Sequence, residues 1–213
     1  MRAPRPASCV LTAPLTQHAA RSRYIVPRMH GSTVLWRRLD APGHDAARLS
    51  FASHQWRIVG TAVFAREQQP CRLDYAVVCD AAWHTVSASV SGWFGDEPID
   101  VELTVDAART WRLNGIECPR VTGCLDVDLH FTPATNTLPI RRLDLAIGRA
   151  SPVRAAWLSP DFSMQPLDQL YRRTGAMTYQ YESDGGTFSA ELEVNDVGLV
   201  TRYSGLWQKE SGG

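Results

Sequence analysis

The chain lacks the features that mark several common functional classes. Lys209 is the only lysine, the basic and acidic residues balance at 22 each, and no apolar run reaches the roughly 18 residues that a membrane-spanning helix needs. A chain without net charge has no broad positive field to attract nucleic acid or an anionic membrane surface. We therefore expect neither a nucleic-acid partner nor a transmembrane segment.

Motifs that identify common enzyme and metal-site classes are also missing. The sequence contains no G-x-S-x-G nucleophile elbow, no phosphate-binding glycine loop and no C-x-x-C pair or histidine–cysteine spacing typical of zinc. Its cysteines are odd in number, and Cys71 and Cys79 fall on the apolar face of one predicted strand. This pattern favours reduced, packed thiols in a cytoplasmic protein, and we predict no cofactor and no metal.

The first 28 residues differ in composition from the rest. They are rich in Ala, Arg and Pro, show no apolar periodicity and contain only an apolar fragment too short for a secretory signal. We predict a disordered or non-native N-terminal extension at 1–28, with Met1 and Met29 both open as the true start. A single β domain at 29–208 and a flexible C-terminal tail at 209–213 would follow.

From Val34 onward the hydrophobic pattern has a period of two, which is typical of half-buried strands. Four segments show it most clearly: 73–79, 84–90, 99–105 and 188–194. Turn residues separate them, and the stretch 166–171 is the only plausible helical turn. The sequence predicts an all-β fold, in which a curved antiparallel sheet forms a half-barrel or barrel with short helical turns.

The stretch GCLDVDLHFTPATNTLPIRRL combines a strand pattern with a dense polar set. Asp126, Asp128 and His130 alternate with apolar residues, and a second alternating segment at 141–147 follows a proline-bounded loop. If the two segments pair as a hairpin, matching their apolar faces places Arg142 beside the acidic residues. A salt-bridged structural face and a functional site both account for this cluster.

This stretch is long enough to indicate a family. Together with 73–90, 155–157, 169–172 and 198–203, it resembles the bacterial family of putative glycolipid-binding proteins, over about Val34 to Trp207. The resemblance implies a fold similar to lipoprotein-carrier and mycobacterial glycolipid-carrier half-barrels, and it brings no catalytic residues. The chain departs from envelope carriers because we find no export signal or lipid anchor, and it has His130 where relatives need not carry histidine.

We therefore predict non-catalytic binding of an amphipathic small molecule, a lipid or glycolipid, in a half-barrel cavity. Arg141 and Arg142 would point to opposite faces of a strand, so only one of them would serve the polar cluster. The candidate ligand-binding residues are Trp83, Asp126, Asp128, Thr132, Thr135, Asn136, Arg141, Arg142, Trp157, Gln169 and Tyr171.

Two other functional classes stay open. Asp126, Asp128 and His130 could serve as acid and base groups of a small hydrolase or isomerase, or as metal ligands, although Arg142 nearby would repel a cation. An exposed sheet edge would instead suit a protein-interaction module. The sequence indicates neither the ligand nor the oligomeric state.

Overall fold

Fifteen strands follow one another along residues 31–212, the part of the chain that the computed structural model describes. They are β1 (Ser32–Arg38), β2 (Gly43–Ala52), β3 (Gln55–Arg66), β4 (Gln69–Cys79), β5 (Thr85–Phe94), β6 (Glu97–Val105), β7 (Trp111–Leu113), β8 (Ile116–Glu117), β9 (Val127–Leu129), β10 (Ala150–Leu158), β11 (Met164–Arg173), β12 (Thr178–Ser183), β13 (Phe188–Val194), β14 (Val200–Tyr203) and β15 (Trp207–Gly212). The helical elements in this part of the chain are α1 (Thr137–Leu143) and three 3-10 turns at Pro119–Val121, Pro133–Asn136 and Asp184–Gly186. No helix among these residues is both long and apolar enough to cross a membrane.

The strands form one sheet in the order β8-β7-β6-β5-β4-β3-β2-β1-β15-β14-β13-β12-β11-β10-β9. All neighbours are antiparallel except β9 and β10, which are parallel. The sheet is curved and does not close, since β8 and β9 stay at opposite ends of the order. This confirms the prediction of an all-β, curved antiparallel sheet of half-barrel type.

The period of two explains why most of the predicted hairpins form. On β4, Leu73, Tyr75 and Val77 are buried while Arg72 is exposed, so one face of the strand enters the core. The predicted β4–β5, β6–β7 and β12–β13 hairpins are all present, with turn residues between the strands. Local alternation and turn chemistry together account for these elements.

The hairpin predicted across residues 123–147 is wrong. Its first segment contributes only the short β9, which pairs in parallel with β10, and its second segment begins as α1. Pro139 is compatible with this helix because the backbone N–H groups of a first turn have no partner within the helix. Asp144 then ends the helix in the left-handed region, with φ of 39°.

The helical turn predicted at 166–171 is also wrong. These residues lie within β11, which pairs with β10 over residues 164–172 and with β12 over residues 169–173. Pairing with both neighbours outweighs the weak local preference of the segment.

The predicted loop between the two segments lies in the longest unbroken run of buried residues within 31–212. All ten residues of 131–140, here called the inner segment, are buried against the inward-facing side chains of the sheet. The ring of Phe131, for example, lies 5.7 Å from that of Tyr75 on β4. The inner segment therefore fills much of the space that the curved sheet surrounds.

The ends of the chain bear on the predicted domain boundaries. Strand β15 continues to Gly212 and pairs with β1, so regular structure extends past the predicted domain end at 208. The predicted extension at 1–28 lies outside the described residues.

Candidate ligand-binding site

A cavity of about 600 Å³ lies beside the inner segment, and its wall includes residues of both halves of the sheet. Thr132 and Asn136 are 6% and 7% exposed, whereas Phe188 is 36% exposed, so the inner segment forms the inner end and Phe188 lies near the opening. Aromatic side chains make up much of the wall: Phe64, Trp157, Tyr181, Phe188, Tyr203 and Trp207.

Strand register brings these side chains together. The parallel pairing of β9 with β10 places Asp128 beside Trp157, and antiparallel pairing sets Tyr203 opposite Trp207. Residues opposite each other on paired strands project from the same face, so both pairs reach the cavity from the concave side. The cavity wall is therefore a product of pairing between distant parts of the chain.

Asp128 is the acidic group at the inner end of the cavity. Gln169 on β11 donates a hydrogen bond from Nε2 to its Oδ2 at 2.6 Å. Burial, and to a smaller extent the charge of Asp126, raise the pKa of Asp128 to about 6. The carboxyl group is therefore mostly ionised at neutral pH and accepts hydrogen bonds.

His130 lines the same cavity in its neutral form. Its Nδ1 lies 3.0 Å from the carbonyl oxygen of Leu158, which can only accept, so Nδ1 carries the proton. Burial lowers the pKa of His130 to about 4, and its ring packs edge-on against Phe131 and Phe162. In this tautomer Nε2 is a hydrogen-bond acceptor.

Asp126 belongs to a different environment. It is 1% exposed and receives hydrogen bonds from Arg142 of α1, Nε to Oδ1 at 3.0 Å and Nη2 to Oδ2 at 2.5 Å. The pair does not line the cavity. The predicted hairpin does not form, but Arg142 still contacts one member of the predicted acidic cluster, because α1 places its side chain beside Asp126. The predicted acid–base set is divided, since Asp128 and His130 line the cavity and Asp126 does not.

Thr132 is held by a buried hydrogen-bond cluster at the start of the inner segment. Its hydroxyl donates to Asp45 on β2 and accepts from the backbone N–H of Ala134. Tyr75 donates to the same carboxylate, with its oxygen 3.1 and 3.0 Å from Oδ1 and Oδ2. Burial raises the pKa of Asp45 to about 7. The Thr132 hydroxyl is thereby committed to the protein itself.

Four of the predicted site residues line the cavity: Asp128, Thr132, Asn136 and Trp157. Two more lie directly behind them, since Gln169 binds Asp128 and the hydroxyl of Tyr171 accepts from Asn136 Nδ2 at 2.9 Å.

The remaining predicted residues lie elsewhere. Thr135 accepts a hydrogen bond from the backbone N–H of Leu129, and Arg142 binds Asp126. Trp83 stacks on Trp56 at 4.2 Å, and the Arg141 guanidinium lies 5.8 Å from the Trp83 ring. Packing and internal hydrogen bonds account for these four positions.

With this geometry established, the chain can be compared with known proteins. A sequence profile of the family described as putative glycolipid-binding matches residues 33–209. The chain belongs to this family.

A crystal structure of a DUF1089 family protein from Pseudomonas aeruginosa is also similar to it. The sequences are 34% identical, the similarity covers 78% of this chain and 92% of that chain, and the TM-score is 0.68. A comparison with curated protein sequences finds no match. The resemblance seen in the sequence is therefore confirmed at the level of family and fold.

Several residues that line the cavity of this member of the putative glycolipid-binding family were not predicted from the sequence. They are Arg38, Phe64, Arg66, Tyr181, Phe188, Tyr203 and Trp207. A signal existed in the alternating aromatic residues of the C-terminal strands, but alternation does not reveal which face of a strand is concave. Within residues 31–212, no group of three or more His, Cys, Asp or Glu is placed to hold a metal ion.

Proposed function

We propose that this protein binds an amphipathic small molecule, a lipid or a glycolipid, in the cavity beside the inner segment. The observation that carries the proposal is the combination of an aromatic wall with a small number of polar groups at the inner end. Ligand sites of about 300–1,000 Å³ with this composition are typical of proteins that bind small molecules.

The division of polar and apolar groups supports an amphipathic ligand in particular. Trp157, Tyr203 and Trp207 offer flat, largely apolar surface, while Asp128 and His130 offer hydrogen-bond acceptors. A ligand with one polar and one apolar part would match both regions at once. The family name, which refers to glycolipids, agrees with this chemistry.

We also propose a reducing compartment, the cytoplasm, as the site of action. Among the described residues, Cys71, Cys79, Cys118 and Cys124 all carry free thiols. Proteins of oxidising compartments more often pair such residues in disulfides.

Native mass spectrometry of freshly purified protein, followed by calorimetric titration with octyl glucoside, tests the proposal. We expect a lipid-sized adduct that denaturation removes, and binding of octyl glucoside that Trp157→Ala weakens by at least about tenfold. Trp56→Ala is the matched control, because Trp56 packs on Trp83 away from the cavity and its loss should leave affinity unchanged.

Two outcomes would contradict the proposed function. One is the absence of any adduct together with no binding of octyl glucoside. The other is equal affinity of the Trp157→Ala and Trp56→Ala variants, which would place binding outside the cavity.

A further inference from the structure

Two free hydrogen-bond acceptors lie at the inner end of the cavity, on Asp128 and His130. Asp128 Oδ2 receives one bond from Gln169, and among residues 31–212 the carboxylate has no other hydrogen-bond partner. His130 donates through Nδ1 to Leu158, which leaves Nε2 as an acceptor. Both residues line the cavity, so a bound molecule can reach them there.

Two neighbouring donors are at least partly committed within the protein. The Thr132 hydroxyl donates to Asp45, and Asn136 Nδ2 donates one of its two hydrogens to Tyr171. A ligand group at the inner end therefore meets the two acceptors of Asp128 and His130 beside the remaining N–H of Asn136.

The two cations that line the cavity are engaged as well. Arg38 donates to both oxygens of Asp40, at 2.8 and 2.9 Å, and its guanidinium lies over the rings of Phe64 and Trp207. Arg66 donates to the carbonyl oxygen of Pro160 at 2.7 Å. No hydrogen bond or ion pair joins either arginine to Asp128 among residues 31–212, although, in addition to burial, the positive charges of both help to lower the pKa of His130. The carboxylate of Asp128 therefore has no arginine partner in this part of the chain.

From this arrangement we infer that the ligand enters head first, with a hydrogen-bond-donating, non-anionic head against Asp128 and His130 and its apolar part along the aromatic wall. This inference rests on the proposed function and deepens it. Hydroxyl groups of a sugar or polyol and a primary ammonium group share the required chemistry, since both donate hydrogen bonds. An anionic head would meet an ionised carboxylate in a partly desolvated site, which is unfavourable.

Asp128 is, on this basis, the residue that determines head-group specificity. An ammonium head would form a charge-assisted hydrogen bond with its carboxylate, and a sugar hydroxyl would form an ordinary hydrogen bond to a charged acceptor. Removal of the negative charge should therefore reduce amine binding most, reduce glucoside binding less, and relax the exclusion of anions.

Four probes with the same octyl chain and different heads test the inference by calorimetric titration: octyl glucoside, octylamine, octyltrimethylammonium and octanoate. We expect octyl glucoside and octylamine to bind at least about tenfold more tightly than octanoate. Octylamine should also bind more tightly than octyltrimethylammonium, which has a positive charge but no N–H donor.

Asp128→Asn is the matching variant, and Asp100→Asn is its control, because Asp100 is an exposed carboxylate on β6 that does not line the cavity. Asp128→Asn should weaken octylamine binding at least about tenfold and reduce the difference in affinity between octylamine and octanoate, and Asp100→Asn should change neither affinity. Equal effects of the two variants would show that Asp128 does not bind the head and would overturn the inference.

The wild-type titrations decide the question even if Asp128→Asn fails to fold. Octanoate binding as tightly as octyl glucoside and octylamine would overturn the inference while leaving the proposed function intact. If none of the four probes binds, the proposed function fails and this inference fails with it.

Discussion

Two buried carboxylates hold the inner segment near its two ends. Asp45 receives hydrogen bonds from Thr132, at the start of the segment, and from Tyr75 on β4. Asp126 receives two from Arg142, just after its end. Buried charges are costly unless they are paired or hydrogen-bonded, so each cluster requires all its members in place.

The Asp126–Arg142 pair yields a prediction about stability. Arg142→Met leaves a buried carboxylate without its partner, so we expect unfolding free energy to fall by about 3–5 kcal/mol. Asp126→Asn in the same chain should restore part of the loss, because the uncompensated charge is then gone. Denaturant unfolding measures both variants.

Arg154→Met is the matched control for Arg142→Met. Arg154 pairs with Asp168 at 3.3 Å on the surface, where both side chains are mostly exposed. Such pairs contribute only about 0–1 kcal/mol. Equal losses in the two variants would show that burial of the Asp126–Arg142 pair has no energetic importance.

Asp45 yields a prediction about pH. Its pKa is raised to about 7 by burial from an ordinary value of 3.8, so the folded state holds a proton that the unfolded state has released. The protonated carboxyl group therefore adds to the free energy of unfolding. This contribution is fully present below about pH 4 and is lost as pH rises through about 7, and it amounts to about 1.4 kcal/mol for each unit of pKa shift.

Asp45→Asn removes this titration. We expect the variant to gain stability relative to wild type between pH 5 and pH 8, as measured by thermal midpoints across that range. The comparison with wild type is needed because His130, with its pKa lowered to about 4, contributes a slope of the opposite sign. A difference between variant and wild type that does not change with pH would contradict this prediction.

At the scale of elements, the contact between β3 and β4 positions the tyrosine that holds Asp45. Gly60 lies opposite Tyr75 in the register, and a Cβ at Gly60 would lie 2.4 Å from the Tyr75 hydroxyl oxygen. The absence of a side chain on β3 therefore leaves room for the ring of Tyr75 to reach across to β2.

Gly60→Ala should displace Tyr75 and weaken its bonds to Asp45. We expect a loss of about 1–3 kcal/mol in urea unfolding, as for other substitutions that overfill a packed core. Ser89→Ala, at an exposed position on β5, serves as the control and should change stability by less than about 0.5 kcal/mol. An unchanged unfolding midpoint for Gly60→Ala would mean that Tyr75 adjusts without cost.

Helix α1 shows the limit of local sequence patterns. Its seven residues are too few for a stable helix in isolation, so burial against the sheet must supply the stabilisation. The sequence pattern instead predicts a strand that begins within this helix, because Leu143 and, beyond the helix end, Leu145 and Ile147 alternate with the residues at 142, 144 and 146. Burial of residues 137–140 inside the curved sheet favours the helix over the strand.

At the scale of the whole molecule, the pairing of β1 with β15 joins two halves of the sheet. Strands β2 to β8 lie on the β1 side of this pair, and strands β9 to β14 lie on the β15 side. The two paired strands are in contact along residues 207–212 of β15. This pair brings Arg38 of β1 and Trp207 of β15 to the same cavity.

Removal of residues 208–213 should therefore destabilise the whole fold. We expect the thermal midpoint to fall by roughly 5–15 °C, since most of the β1–β15 pairing is lost. Removal of residues 1–28, which have no apolar periodicity, should leave the midpoint nearly unchanged. Calorimetry of the two truncated proteins tests both expectations, and a larger loss from the N-terminal deletion would contradict them.

The amino-acid sequence by itself determined the all-β class, the family and most of the hairpins. Alternation with a period of two assigns residues to the two faces of a strand, and turn residues such as Asp184-Gly185-Gly186 mark where strands end. The predicted contact between Arg142 and the acidic cluster is present at Asp126, although the hairpin from which it was predicted does not form.

Only the tertiary structure decided where the inner segment lies and which residues line the cavity. A local pattern states which side chains share a face, but whether that face is concave, and what packs against it, depends on pairings such as β1 with β15 and β9 with β10. The inner segment read as a polar loop because its Thr and Asn side chains suit turns. It is buried instead because residues distant in the sequence, Asp45, Tyr75 and Tyr171, form hydrogen bonds with Thr132 and Asn136 inside the sheet.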